Sequence, residues 1–195
     1  MSRQSAYDEL VAVILWIDEH SKEVNIPGEP RPMLAAGCFD MVLEHQAAIA
    51  TLTKMELHGS AHALLRVMAE ALFRGMYFAR CAREDELSRY QRDEFRKSME
   101  QIVRAIETEL GDSNKVLSAI VESQWQALCS FTHTGYKQIT RRYTGALLKP
   151  AYPEAEVIHA LRFAGLIGLV AVMELAALSN NLGLGLSALE RARVY

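Results

Sequence analysis

From Phe163 to Met173 the chain reads FAGLIGLVAVM without one polar side chain, and the apolar character continues to Leu178 with Glu174 as the single break. A segment of this kind has to be enclosed, by lipid or by the rest of the protein. A membrane span needs roughly 18 to 20 apolar residues. Here Arg162 stands directly before the run and Glu174 lies inside it, so a buried central helix near residues 154–180 is the expectation, with no membrane crossing. The remaining chain must then supply the cover.

That cover reads as helical. No stretch shows short alternating strands or Asn-Gly turns, whereas apolar residues recur at helical spacing over long distances. A first helix is predicted from Gln4 to Val24, ended by NIPGEPRP, where Pro27, Gly28 and Pro30 cannot continue it. Pro32 suits the opening of a second helix that runs to Lys54, and LHGS leads into a third. From Arg80 to Glu109 basic and acidic residues alternate, the pattern of a solvated helix or helix pair laced with ion pairs. Gly111 ends that region, and Asp112, Ser113 or Asn114 can cap the helix KVLSAIVESQWQALCSF. Pro150 and Pro153 precede the central helix, and a short last helix is predicted after the Gly183 and Gly185 break. With 195 residues, half of them hydrophobic, the chain is expected to form one all-α domain over 1–195, a bundle of about six to eight helices.

Composition narrows the function classes. A formal charge of −3 is not the balance of a dedicated nucleic-acid binder, and no DNA-binding motif is present in the sequence. Arginine outnumbers lysine 15 to 6, which favours planar ion pairs or phosphate contacts. Cys38, Cys81 and Cys129 are odd in number, far apart and without CxxC spacing, so a reducing cytoplasm is expected, without disulfides. LVAVILWI near the start is bracketed by acids and does not read as a secretory signal. Phosphate-loop, dinucleotide, zinc-protease and nucleophile-elbow motifs are missing from the sequence, and His45 has no partner at ligand spacing; neither a cofactor nor a metal is expected.

Two constellations carry chemistry. In LLRVMAEALFRGMYFAR, Leu64 to Arg80, the side chains of Arg66, Glu70, Arg74, Tyr77 and Arg80 fall, with His62 just before it, on one helical stripe about 120° wide. The rest of the circumference is Leu, Val, Met, Ala and Phe. Such a stripe can face solvent, can form a buried network against another helix, or can hold an anion between two guanidiniums and one carboxylate. The second constellation is SFTHTGYKQITRRYTG, Ser130 to Gly145, which gathers Ser130, His133, Gln138, Arg141 and Arg142 with no acid among them. Gly135 is expected to break the chain just after His133 and leave that imidazole at a helix end. His133 is the best candidate for a catalytic proton transfer near neutral pH, and the alternative is a histidine that caps a helix.

On these two motifs the sequence resembles an uncharacterised bacterial family of all-helical proteins, with the similarity extending over about residues 30–175. The resemblance implies no activity; it implies that Arg66, Glu70, Arg74 and His133 share one site. A looser similarity is to HEPN-type helical domains, many of which act as metal-independent ribonucleases in toxin and defence systems. Their signature is an Arg followed four to six residues later by His. No histidine here has an Arg at that distance upstream, so such a site would need Arg66 or Arg74 to meet His133 across helices.

The expected function is that of a cytoplasmic binding or regulatory bundle, a homodimer, with a pocket for an anionic small molecule. That pocket would be lined by Arg66, Glu70, Arg74, Tyr77, Ser130, Gln138, Arg141 and Arg142. Two alternatives stand beside it: a ribonuclease or phosphodiesterase that acts on RNA through His133, and a purely structural partner-binding bundle.

Overall fold

The computed structural model describes residues 1–22 and 24–195, and among them it contains nine helices and no strand. They are α1 (Arg3–Ser21), α2 (Pro30–Lys54), α3 (His58–Arg80), α4 (Glu84–Tyr90), α5 (Met99–Leu110), α6 (Val116–Thr132), α7 (Tyr136–Thr140), α8 (Glu154–Leu178) and α9 (Leu182–Val194). Two of the nine, α4 and α7, are no longer than 7 residues, which takes the total one above the upper bound expected. The first helix stops at Ser21 rather than Val24; residue 23 lies outside the described residues.

Local chemistry explains most boundaries. The Ser2 hydroxyl accepts from the Ser5 amide at 3.1 Å and opens α1. Helix α2 begins at Pro30, not Pro32, because the first turn makes no use of amide hydrogens and accommodates both prolines. Ser98 and Gln101 form a reciprocal capping box at α5, and Gly111 ends that helix in the left-handed conformation. Asp112 then accepts the Val116 amide at 3.1 Å, so it does cap α6 from four residues away. The last helix starts at Leu182 and runs through both glycines. Asn181 initiates it by accepting the Leu184 amide at 3.0 Å.

The central apolar helix is α8, and it packs against α1, α2, α3 and α9. Leu161, Leu169 and Val172 are completely buried there, each contributing about 1.5–3 kcal/mol by leaving water. By length and composition α8 is long and apolar enough to cross a membrane; here most of its apolar side chains lie against four other helices, with Leu166 exposed. Its one interior charge is answered: Glu174 forms an ion pair with Arg80 at the end of α3. Helices α5 and α6 cover the other side of α3, and α6 has Val121 as its one buried residue.

Helix α2 is seated by two close approaches. The Phe39 ring fills the space above Gly75 of α3, where an added Cβ would sit 2.5 Å from the ring. The buried Gln46 amide donates to the Ala164 carbonyl of α8 at 3.0 Å and passes over Gly168, where an added Cβ would be 2.1 Å from Nε2. Gly75→Ala and Gly168→Ala are therefore expected to destabilise by about 1–3 kcal/mol each through overpacking. Gly37→Ala, at an exposed point of α2 with nothing within 4 Å, should stabilise by about 0.5–1 kcal/mol. Urea unfolding of the three variants tests this opposition of sign.

Candidate functional site

Helix α3 is enclosed so fully that Ser60 alone among its 23 residues is exposed. Its charged stripe is consequently half-buried: the side chains of Arg66, Glu70 and Arg74 keep 21%, 22% and 29% of their exposure. Glu70 holds both arginines, Arg74 at 2.6 Å and Arg66 at 3.5 Å. Each guanidinium also lies over an aromatic ring, Arg66 over Trp125 of α6 at 5.2 Å and Arg74 over Phe95 at 5.9 Å.

The second motif reaches this stripe at one point. The exposed His133 places Nε2 3.3 Å from Arg66 Nη1. A guanidinium has only donors, so in this contact Nε2 is the acceptor and the imidazole proton sits on Nδ1. The Thr132 hydroxyl fixes the approach of the two helices, 3.0 Å from the Ala63 carbonyl of α3.

The chain turns at Thr134, not at Gly135. Thr134 takes the left-handed conformation with φ of 55°, and the Gly135 amide bonds back to the Ser130 carbonyl at 2.7 Å. Gly135 has ordinary extended φ; glycine is needed there because a Cβ would lie 2.6 Å from the Ser130 hydroxyl. That hydroxyl accepts the Lys137 amide at the start of α7.

The other expected site residues lie apart from the Arg66 cluster. Gln138 donates to the Gly59 carbonyl at 3.1 Å and accepts from the Tyr152 hydroxyl at 3.2 Å, fastening α7 to the start of α3. Arg141 makes a two-pronged ion pair with Glu156 of α8, which holds that carboxyl below the usual range despite its partial burial. Arg142 is exposed. Tyr77, on the stripe by spacing, is buried and donates to Glu86 of α4 at 2.9 Å.

Trp125 and Glu156 are the contacts that the motifs did not announce. Trp125 stands seven residues before Thr132, two turns along one face of α6, so the spacing held that signal. Nothing local marked Glu156 as the partner of Arg141. At the other end of the stripe, Glu70 and Arg74 line a groove of about 450 Å³ between α2, α3 and α4, beside Cys38 and Tyr90. Burial pushes the Cys38 thiol up to about 11, so it is no thiolate at neutral pH. Among the described residues no three His, Cys, Asp or Glu side chains converge as metal ligands would.

Residues 39–192 match the profile of a family of unknown function, DUF6988, across both motifs. The chain belongs to this family. No curated protein and no solved structure matches the chain significantly. The family stretch runs from the middle of α2 through most of α9, so it contains the whole of the Arg66, Glu70, Arg74 and His133 cluster.

The Glu86 carboxylate has a measurable signature. Burial pushes its pKa up, but the Arg83 amide, Lys97 and the Tyr77 hydroxyl outweigh this and hold it below the usual value. A folded-state pKa lowered in this way gives stability that is complete above the unfolded value of about 4.3 and lost as pH falls through the folded one. Glu86→Gln should cost about 1–3 kcal/mol at neutral pH. That cost should shrink in denaturant titrations carried below about pH 4.

Proposed function

We propose that the protein is a helical-bundle binding protein whose Arg66, Glu70 and Arg74 stripe, joined by His133, holds an anionic ligand such as a phosphate group. The observation that carries this is the double contact of Arg66, with Glu70 on its own helix and with His133 on the neighbouring segment. Two guanidiniums share one carboxylate, which leaves a net positive charge in a half-buried place where electrostatic attraction is little screened. His133 is exposed beside it, so an anion approaching from solvent meets the imidazole and Arg66 together. Inorganic pyrophosphate is the probe. In NMR titrations it should shift the Arg66 and His133 side-chain signals, and Arg66→Lys, which keeps the charge and loses the fork, should weaken binding by about tenfold. Pyrophosphate that leaves those signals unmoved would sink the reading.

A second reading rests on the same 3.3 Å contact, because it unites an arginine and a histidine that lie 67 residues apart. In this reading His133 moves a proton during phosphodiester cleavage while Arg66 stabilises charge developing on the phosphate. RNA incubated with the parent, His133→Ala and Arg74→Ala decides it. Cleavage abolished by His133→Ala is the expected result; no cleavage by the parent, or cleavage indifferent to that change, rejects catalysis and leaves the binding reading in place.

The proposal includes a cytoplasmic setting, supported by three unpaired cysteines, and a homodimer. Leu182, Leu186 and Leu189 on α9 support the dimer, with exposures of 75%, 52% and 36% on the outward side. Sedimentation equilibrium should find a dimer that Leu186→Asp dissociates, and a monomeric parent would reject it.

A further inference from the structure

Between α7 and α8 the chain makes a turn that is fastened to the bundle at its base and left uncovered at its tip. The Ala151 amide closes the base by donating to the Arg141 carbonyl at 2.8 Å. Gln138 and the pair of Arg141 with Glu156 tie that base to α3 and α8. The tip is a two-residue hairpin turn: Thr144 and Leu147 exchange backbone hydrogen bonds at 3.0 and 3.1 Å, and Gly145 between them takes the left-handed φ of 60° that suits such a turn. Every residue from 142 to 151 is exposed, so the turn projects from the bundle.

Two kinds of side chain share this projection. Leu147 and Leu148, adjacent at the end of the hairpin, are 69% and 75% exposed, and Tyr143 just before it is 48% exposed. Lys137, Arg142 and Lys149 flank them and are exposed as well. Glu156 answers Arg141, whereas these three cations make no ion pair among the described residues. From residue 123 to 153 there is no acid; the stretch carries +4 in a chain of −3, which leaves −7 for everything else. The next acid along the chain, Glu154, is engaged by the Arg3 amide at 3.0 Å.

Adjacent aliphatic side chains held in water by a fixed turn mark a surface that something covers. A second copy of the same turn is excluded as the cover, because it would set +4 against +4. RNA answers the charge, but leucine offers no plane on which a base stacks. A bilayer with anionic headgroups answers both features, since its acyl boundary takes leucine, its phosphates take the cations, and tyrosine suits the headgroup level between. We infer that the turn at 141–151 is a docking surface for an anionic membrane, on which the protein lies without crossing it: Leu147 and Leu148 enter the acyl boundary while Lys137, Arg142 and Lys149 meet the lipid phosphates. This surface is separate from the Arg66 cluster and does not depend on its ligand.

The test is sedimentation of the full chain with vesicles of equal parts phosphatidylcholine and phosphatidylglycerol, and with vesicles of phosphatidylcholine alone. Binding to the mixed vesicles should be at least about tenfold the stronger and should weaken as salt is raised. Leu147→Ser combined with Leu148→Ser should reduce it by about tenfold or more, and Lys149→Ala by about fivefold. These side chains are exposed, so thermal unfolding should find each variant as stable as the parent. Arg66→Lys should bind the vesicles as the parent does. Mixed vesicles that leave the parent in the supernatant overturn the inference. So do equal binding by the leucine variant and a loss of binding in Arg66→Lys. A chain that pellets without vesicles, or that binds a uridine oligonucleotide and no vesicle, assigns the turn to a second copy or to RNA and overturns it equally.

Discussion

A charged side chain on a helix with only a narrow solvent-facing stripe gains most from a counter-charge inside the protein, and α3 carries four such side chains. That preference organises the neighbours of α3. Glu70 answers Arg66 and Arg74 within the helix, and Glu174 reaches across from α8 to Arg80. The buried Tyr77 hydroxyl adds a polar demand of its own, met by Glu86 from α4. Leaving one of the buried groups, Tyr77, Glu86 or Glu174, unmet would cost several kcal/mol. The polar positions of α3 thus help to fix how α8 and α4 are turned against it. A net positive charge is left over at Arg66 and Arg74, next to the one exposed imidazole that approaches the stripe.

Much of the architecture was legible from spacing. The all-α class, the central helix near 154–180, the long helices and the charged stripe all follow from a 3.6-residue period and from proline and glycine punctuation. The misread boundaries were those at which a rule of residue type met a specific cap. Two glycines suggested a break before the last helix, but the Asn181 cap starts the helix ahead of them. The break expected just after His133 is where α6 ends, but Thr134 rather than Gly135 supplies the left-handed residue, and the glycine serves a steric need.

Pairing across elements was harder to see. Periodicity places Tyr77 on the same stripe as Arg66, yet the stripe passes under different neighbours along its length, α6 at one end and α4 at the other. In the same way SFTHTGYKQITRR reads as one basic cluster, whereas folding divides it. His133 goes to Arg66, while Gln138 and Arg141 bind Gly59 and Glu156. The division arises because α7 is a single short turn of five residues that changes direction after Thr134, a reversal that no spacing rule contains.

Phe39 over Gly75 and Gln46 over Gly168 have a mechanical consequence. They key α2 into α3 and into α8 at points seven residues apart along one helix, so α2 cannot slide past either neighbour without forcing both side chains out of their notches. Shear between these three helices is blocked, and they behave as a chassis. Helix α6, with a single buried residue, has no comparable key. The frame is therefore α2, α3 and α8: Arg66 and Glu70 stand on it, and His133 is brought to them by the Thr132 hydroxyl at the end of α6.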